Sequence, residues 1–380
     1  MSVQVTSITS RGGRLAATVA VPGVDPIELY LEANVDLVDD ATPWVTAQIP
    51  LAMRYAEPLH VDGTVDPVTI SNAAKAQEVL HGWYPRLSLV EVTATHLAER
   101  TAAPGVGCFF SGGVDSFYSV LRHLDRITHL VFVHGFDIPI DNDDLGERAR
   151  VAAREAALAL GKPLIEVSTN VRQLSNTRVE WQTEYHGAAL ASVGHALADL
   201  LGELIIPGSY AEADLHPWGT HPALDKWWSG SGVTFEHDAV DVTRPEKVRA
   251  LAQHQVALDH LRVCFKNKNN AYNCGRCEKC LRTMIALASA GALEQCKTLP
   301  GHVDARTIRR MGVNSEAAHL FVTENIRAIE ALPAEARDEE LLKALKVARG
   351  MGYVRRPLRA VGRPVMRRVV RPVRRRWRHR

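Results

Sequence analysis

The stretch Val106-Gly-Cys-Phe-Phe-Ser111-Gly-Gly-Val-Asp-Ser116 decides the fold class of this 380-residue chain. Its apolar run over Val106–Phe110 predicts a buried strand, and the Ser-Gly-Gly loop leads into a helix predicted from about Ser116 to Leu124. Glycines let backbone N–H groups turn inward around an anion, and the helix N-terminus adds a positive dipole end. The loop therefore predicts a phosphate site, although it lacks the Gly-Lys-Ser/Thr of a Walker A motif. Asp115 could hold Mg²⁺ there or order the loop as a helix cap.

Strands and helices alternate downstream of this loop, which predicts a mostly parallel sheet covered by helices. Such sheets bind ligands at the carboxyl ends of their strands. The predicted strands are 129–134, 164–167 and 204–207, and the predicted helices are 143–160, 184–201, 245–261, 279–290, 315–331 and 335–348. The long segment 208–243 is predicted to be a functional loop.

The first 100 residues form a β-rich module in this interpretation. Gly, Pro and Asp turns separate apolar or alternating runs, and one helix is predicted over 71–81. The predicted strands are Val3–Ile8, Leu15–Val21, Ile27–Leu31, Trp44–Ile49 and Leu87–Val92. Because no catalytic pattern occurs here, the module is expected to recognise a substrate or to form a homodimer.

Four cysteines lie within seventeen residues, in the spacing Cys264-x9-Cys274-x2-Cys277-x2-Cys280. In a cytosolic chain such a cluster predicts a metal site before it predicts disulfides. Four thiolates suit tetrahedral Zn²⁺, and a closed four-cysteine site is more typical of a structural clamp than of a Lewis acid. An iron–sulfur cluster and redox-active cysteines are the alternatives.

The string Ser-Gly-Gly-Val-Asp-Ser resembles the PP-loop of the N-type ATP pyrophosphatases, the adenine nucleotide alpha-hydrolase-like (HUP-like) superfamily. The resemblance implies that residues of this loop bind ATP with Mg²⁺ and that two of them, Ser111 and Asp115, are catalytic. The implied nucleotide-binding residues are Ser111, Gly112, Gly113, Val114, Asp115, Ser116, His134 and Gly135. The implied reaction adenylylates a substrate oxygen and releases pyrophosphate, after which a nucleophile displaces AMP.

The string Cys274-Gly-Arg-Cys277-Glu-Lys-Cys280 resembles the zinc motif of 7-cyano-7-deazaguanine synthase (QueC-like) proteins, which also carry an upstream PP-loop. The resemblance covers about residues 104–291 and implies an ATP-dependent ligase domain over 104–294, followed by C-terminal helices over 295–354. The loop at 207–222 departs from the expected deazaguanine pocket, so the substrate is left open as a small molecule, a protein or an RNA.

Polar and aromatic residues after the fourth strand of this domain are the substrate-site candidates. Such groups at the carboxyl end of a strand suit a substrate pocket, and a histidine there could act as a general base or contact a phosphate. The candidates are Gly208, Ser209, Tyr210, Asp214, His216 and His221.

Charge is distributed unevenly along the chain. Twelve arginines and no acidic residue lie in 355–380, which leaves 33 basic and 43 acidic residues in 1–354. This basic tail could contact nucleic acid or an anionic membrane surface, or it could have no partner. The sequence has no transmembrane stretch and no signal peptide pattern, so a cytoplasmic location is expected.

The sequence therefore predicts an α/β enzyme that activates a carboxylate or carbonyl oxygen as its adenylate and then amidates it. A tRNA-thiolating enzyme of the same superfamily is the first alternative, and the basic tail favours it. The second alternative is a nucleotide-binding regulatory or defence-system subunit without turnover. A zinc-stabilised nucleic-acid-binding protein is the third.

Overall fold

One ten-stranded sheet organises the first part of the chain in the computed structural model, which describes residues 2–313 and 315–351, without the side chains of 316 and 317. The chain divides into two units, Met1–Tyr272 and Asn273–Arg380. The basic tail expected at 355–380 lies outside the described residues. The strands are β1 Val3–Arg11, β2 Arg14–Val21, β3 Val24–Ala33, β4 Leu59–Val65, β5 Val92–Leu97, β6 Gly105–Phe109, β7 His129–His134, β8 Leu164–Thr169, β9 Leu201–Pro207 and β10 Thr234–Asp238.

The sheet has the order β10-β9-β6-β7-β8-β3-β2-β1-β4-β5 and is mostly parallel. The strands β6 to β10 pair with one another only in parallel, whereas β3 pairs antiparallel with both β8 and β2. The predicted α/β class with a mostly parallel sheet is confirmed. From β6 the chain proceeds outward through β7 and β8, and β9 then returns to the other side of β6. The strand order therefore reverses between β6 and β9, which is where open α/β sheets bind ligands.

Helices of the first unit connect and cover these strands. They are α1 Thr42–Tyr55, α2 Pro67–Trp83, α3 Val114–Arg122, α4 Asp143–Ala159, α5 Arg172–Ser175, α6 His186–Ala196, α7 Pro222–Asp225, α8 Arg244–Leu251 and α9 Gln255–His260. A π-helical turn, Trp181–Tyr185, leads into α6. None of the helices among the described residues is long and apolar enough to span a membrane.

The N-terminal strands continue the same sheet through a polar seam between β3 and β8. Thr169 donates its hydroxyl hydrogen to the carbonyl of Tyr30, and Asn170 accepts from the Tyr30 amide at 2.8 Å. Asn34 accepts from the Glu166 amide at 2.8 Å. These bonds satisfy backbone groups at the join, so the region expected as a separate β-rich module shares one core with the parallel strands.

Four sequence expectations about secondary structure are wrong. The single helix expected over 245–261 is divided into α8 and α9. Residues 44–49 lie in helix α1, whose residues from Thr42 to Met53 are all buried. A helix buried on every side shows no amphipathic period, and its apolar run resembles a strand. The strand expected over 87–92 begins only at Val92, as β5. The expected loop 208–243 contains α7 and the edge strand β10, whose five residues are too short to give a clear alternation.

The second unit is helical over its described residues. Its helices are α10 Glu278–Ser289, α11 Ala305–Arg309 and α12 Glu316–Glu330, and residues 339–351 are also helical. A separate apolar core joins them and includes Ile285, Ile308, Ile326 and Leu345. The expected C-terminal helices are present, and they belong to a core distinct from the one that surrounds the sheet.

Candidate nucleotide site and metal centre

The loop after β6 makes a tight turn that leads directly into helix α3. Gly112 takes a φ of +71°, which few residues other than glycine adopt, and Gly113 precedes the first residue of α3. Ser111 accepts a hydrogen bond from the Gly113 amide at 3.3 Å, and Ser116 donates to the Gly113 carbonyl at 3.1 Å. The two hydroxyls thus hold the loop in shape at the N-terminus of a helix.

Asp115 connects this loop with two other segments of the chain. Its carboxylate accepts a hydrogen bond from Arg244 at 2.7 Å and lies 3.6 Å from the ammonium of Lys247. Ser209, which follows β9, donates to the same carboxylate at 3.4 Å. Lys247 is fully buried and also donates to the carbonyl of Gly208 at 2.7 Å. Residues from α3, α8 and the end of β9 therefore meet where the strand order reverses.

This arrangement bears on the expected magnesium ion. A carboxylate that ligates Mg²⁺ needs oxygen lone pairs that are free of cationic side chains. Asp115 instead faces a guanidinium and an ammonium, which already compensate its charge. A Mg²⁺ ion at Asp115 would have to compete with these two cations, and in this conformation Asp115 orders Arg244 and Lys247 around the loop.

Arg262 contacts the glycine loop through its backbone and its Cβ. Its backbone amide donates to the Gly112 carbonyl at 2.7 Å, and a Cβ placed on Gly112 would lie 3.7 Å from the Arg262 Cβ. The residue is 6% exposed, and its guanidinium donates to Asn267 at 2.8 Å. Among the described residues Arg262 has no acidic ion-pair partner, and its Nε makes no hydrogen bond. A buried guanidinium without a carboxylate is costly unless an anion binds to it.

His134 and Gly135, the expected nucleotide contacts at the end of β7, have structural partners. Arg150 donates to Nδ1 of His134 at 3.1 Å, so Nε2 carries the hydrogen and donates to the Pro139 carbonyl at 3.2 Å. Burial, reinforced by Arg150, lowers the pKa of His134. A Cβ on Gly135 would lie 1.9 Å from the Thr169 carbonyl oxygen. The glycine is thus required by the neighbouring backbone, whether or not a nucleotide approaches it.

The substrate-site candidates after β9 form an aromatic and polar segment. The rings of Tyr210 and His216 are 4.4 Å apart, and both contact Trp218 edge to face, at 5.6 and 5.5 Å. His216 donates from Nδ1 to the carbonyl of Asp214 at 2.9 Å. His221 instead accepts from the Ala223 amide at 3.0 Å and caps α7. Gly208 and Ser209 reach the Asp115 group, whereas Asp214, His216 and His221 have local partners.

The four predicted metal ligands come together. Their sulfur atoms all lie within 4.8 Å of one another. The Cys274 and Cys280 sulfurs are 3.9 Å apart, close to the value of about 3.8 Å that a tetrahedral ion with Zn–S bonds of about 2.3 Å requires. An iron–sulfur cluster distributes its cysteines over several irons and separates them further. The donor set therefore fits one ion and could hold zinc.

The backbone around the second and third cysteines also suits a metal centre. The Cys277 amide donates to the Cys274 sulfur at 3.3 Å, and the Cys280 amide donates to the Cys277 sulfur at 3.5 Å. Gly275 has a φ of +65°, which permits the tight turn, and Cys277 is the N-cap of α10. Amide groups directed at sulfur stabilise thiolates, so the local chain is shaped for a metal.

The remaining two cysteines lie outside the cluster. Cys108 and Cys296 are both buried, and burial raises the pKa of the Cys108 thiol well above its usual range. A buried thiol with a raised pKa is unreactive, so Cys108 is a packing residue of β6, as the sequence predicts.

No protein-family model, curated protein or solved structure matches this chain. The site residues must therefore be judged on their geometry. Sequence reasoning missed Arg262 because an arginine outside any motif has no signal of its own. The sequence likewise assigns no role to Lys247, since only the fold brings α8 beside the loop.

Proposed function

We propose that residues 111–116 bind the phosphates of ATP and that the protein is an ATP-dependent ligase of the PP-loop type. The observation that supports this most is Arg262, whose backbone contacts the glycine loop and whose buried guanidinium lacks an acidic partner among the described residues. Phosphate oxygens would satisfy its N–H groups in the water-poor site. The resemblance to the PP-loop motif supplies the identity of the nucleotide.

In this proposal each group of site residues has a separate role. Backbone amides of the loop and the α3 N-terminus bind the β- and γ-phosphates, and Arg262 binds an oxygen of the same group. Arg244 and Lys247 lie beside the reacting end, where they stabilise the charge that develops as pyrophosphate leaves. A carboxylate or carbonyl oxygen of the substrate attacks the α-phosphate, and an amine then displaces AMP. The four-cysteine centre holds the chain around 264–280 and takes no part in the chemistry.

Two glycines with similar backbone angles offer a matched test. Gly112 and Gly161 have φ values of +71° and +66°, and a Cβ at either position would meet no atom closer than 3.4 Å. Alanine at either position should therefore cost a similar amount of stability, about 1 kcal/mol. Calorimetry should show that G112A loses ATP affinity whereas G161A retains it. Equal affinities in both variants and the wild type would exclude nucleotide binding at this loop.

The catalytic part needs its own measurement. The protein should be incubated with ATP and cell extract, and AMP, pyrophosphate and a new adduct should be followed by mass spectrometry. We expect equimolar AMP and pyrophosphate from the wild type and none from G112A. Hydrolysis of ATP to ADP would contradict the adenylylation chemistry.

A second candidate is a nucleotide-binding subunit without turnover. The pairing of Asp115 with two cations favours it, because a carboxylate so compensated is poorly placed to recruit Mg²⁺. Tight ATP binding without pyrophosphate release in any extract would select this function. The thiolation alternative stays a prediction that transfer of labelled sulfur to tRNA would test.

A further inference from the structure

The fold builds a buried acid–histidine pair that the sequence motifs do not include. Asp225, the last residue of α7, is fully buried, and His237 lies on β10 with 4% of its side chain exposed. Nδ1 of His237 lies 2.7 Å from Oδ2 of Asp225. A carboxylate accepts only, so Nδ1 carries the hydrogen and Nε2 presents a lone pair.

That lone pair has no partner among the described residues. Nε2 of His237 and the second oxygen of Asp225 are both buried without a hydrogen bond there. A buried acceptor of this kind needs a reason, such as a catalytic role, because a buried polar atom without a hydrogen bond destabilises the fold. Asp225 fixes the histidine tautomer and its orientation, so that Nε2 is the nitrogen left to accept a proton, which is what a general base requires.

The pair lies next to the site proposed above. A Cβ on Gly208 would lie 2.6 Å from Nε2 of His237, and the carbonyl of Gly208 accepts from Lys247, which contacts Asp115. One glycine therefore separates the histidine from the Lys247–Asp115 group. Any larger residue at 208 would collide with Nε2, so the close approach of the histidine to this loop requires glycine.

We propose that His237, oriented by Asp225, accepts the proton of the amine nucleophile in the second half-reaction. This inference rests on the proposed function. The nitrogen attacks the carbon of the adenylate, an N–H proton passes to Nε2, the bond between that carbon and the phosphate oxygen breaks, and AMP leaves. His237 later releases the proton to water. His216 and His221, which the sequence favours as bases, bond through their rings to backbone groups instead of a carboxylate.

The tautomer can be tested without a substrate. In the full-length protein labelled with ¹⁵N-histidine, NMR should show His237 with hydrogen on Nδ1, a strongly deshielded N–H proton, and an acceptor nitrogen at Nε2. The deshielded proton should disappear in D225N. A ring that carries its hydrogen on Nε2 would overturn the proposal, since it has no lone pair to offer.

The kinetic test uses H237N, whose amide can replace Nδ1 in the bond to Asp225 but has no Nε2. Small carboxylic acids are screened singly for ATP–pyrophosphate exchange, and turnover is then measured with ammonium or with hydroxylamine, a nucleophile that needs little base assistance. H237N should keep exchange and hydroxylamine turnover but lose ammonium turnover by about 10²–10⁴-fold. The exposed His254 provides the control H254N.

The outcomes separate the two proposals. Unchanged ammonium turnover in H237N would refute the proposed role of His237 but not the ligase function. Parallel loss of exchange and of both nucleophiles would mean a structural role and would also refute it. Absence of exchange with every acid in the wild type would refute the ligase function, and the inference about His237 with it.

Discussion

The loop site and the cysteine centre are built in opposite ways. The cysteine centre takes its four ligands from seventeen consecutive residues, and two of its cysteines accept amide hydrogen bonds from residues three positions on. The loop site draws on residues 111–116, 208–209, 244–247 and 262, which are far apart in sequence. A site built from neighbouring residues can be recognised from their spacing in the sequence. A site built from distant segments can be recognised only when the order of the strands in the sheet is known. Changing one site and then measuring stability or ligand binding at the other tests how far the two sites depend on each other.

Removal of the metal should have the largest effect. Structural zinc binds with free energies on the order of 10 kcal/mol in small domains, and that energy is available for ordering the chain. Chelation should therefore release one zinc per chain and raise hydrogen exchange across 264–280. Arg262 lies two residues before Cys264, so ATP affinity should also fall. A metal-free protein with undiminished protection over 264–280 would show that the centre is not a structural clamp.

Asp115→Asn should be the next most damaging change. It removes the charge of the carboxylate that Arg244 and the fully buried Lys247 contact, and the loss of one partner from a buried pair costs about 3–5 kcal/mol. The free energy of unfolding, measured in urea, should fall accordingly, and AMP formation should cease. The cysteine centre should keep its zinc. A variant as stable as the wild type would mean that the cations do not depend on Asp115.

Acid should weaken the first unit through His195. Burial lowers the pKa of this α6 histidine from 6.5 to about 4, so the unfolded chain binds more protons between these values. The contribution of neutral His195 to the free energy of unfolding is fully present above about pH 6.5. It is lost as the pH falls, and the loss reaches about 3 kcal/mol at pH ~4. H195Q should flatten this slope in urea unfolding. Acid also releases zinc from thiolates, so zinc content must be followed in parallel. If the free energy of unfolding of H195Q depended on pH as that of the wild type does, the acid sensitivity would come from a group other than His195.

Arg262→Met should separate binding from stability. Loss of a hydrogen bond to a charged phosphate costs about 1.5–3 kcal/mol, which corresponds to a roughly 10- to 100-fold weaker ATP affinity. Unfolding free energy should fall by no more than about 1 kcal/mol, because the arginine lacks an acidic partner among the described residues. R249A, at an exposed position of α8, is the control. If R262M lowered the free energy of unfolding by much more than it weakened the free energy of ATP binding, Arg262 would be a structural residue.

Sequence patterns were reliable where a segment has one buried face or one clear loop motif. They predicted β1 to β3, the alternation from β6 to β9 and the start of α3 at the glycine loop. They failed for α1, because a helix that is buried all round lacks an amphipathic period, and for β10, which is short and lies between turns. They predicted residues 1–100 as a module separate from the parallel strands, because the pairing of β3 with β8 joins segments that are distant in sequence.

The amino-acid sequence by itself determined the glycine loop, the cysteine spacing and the α/β class, because each depends on residues close together along the chain. Tertiary structure alone decided that Arg244, Lys247, Arg262 and Ser209 surround the loop, and that Asp225 meets His237. These encounters depend on the order of strands in the sheet, with β9 beside β6 and β10 beside β9. Strand order is set by the packing of the whole core, and no local pattern of residues encodes it.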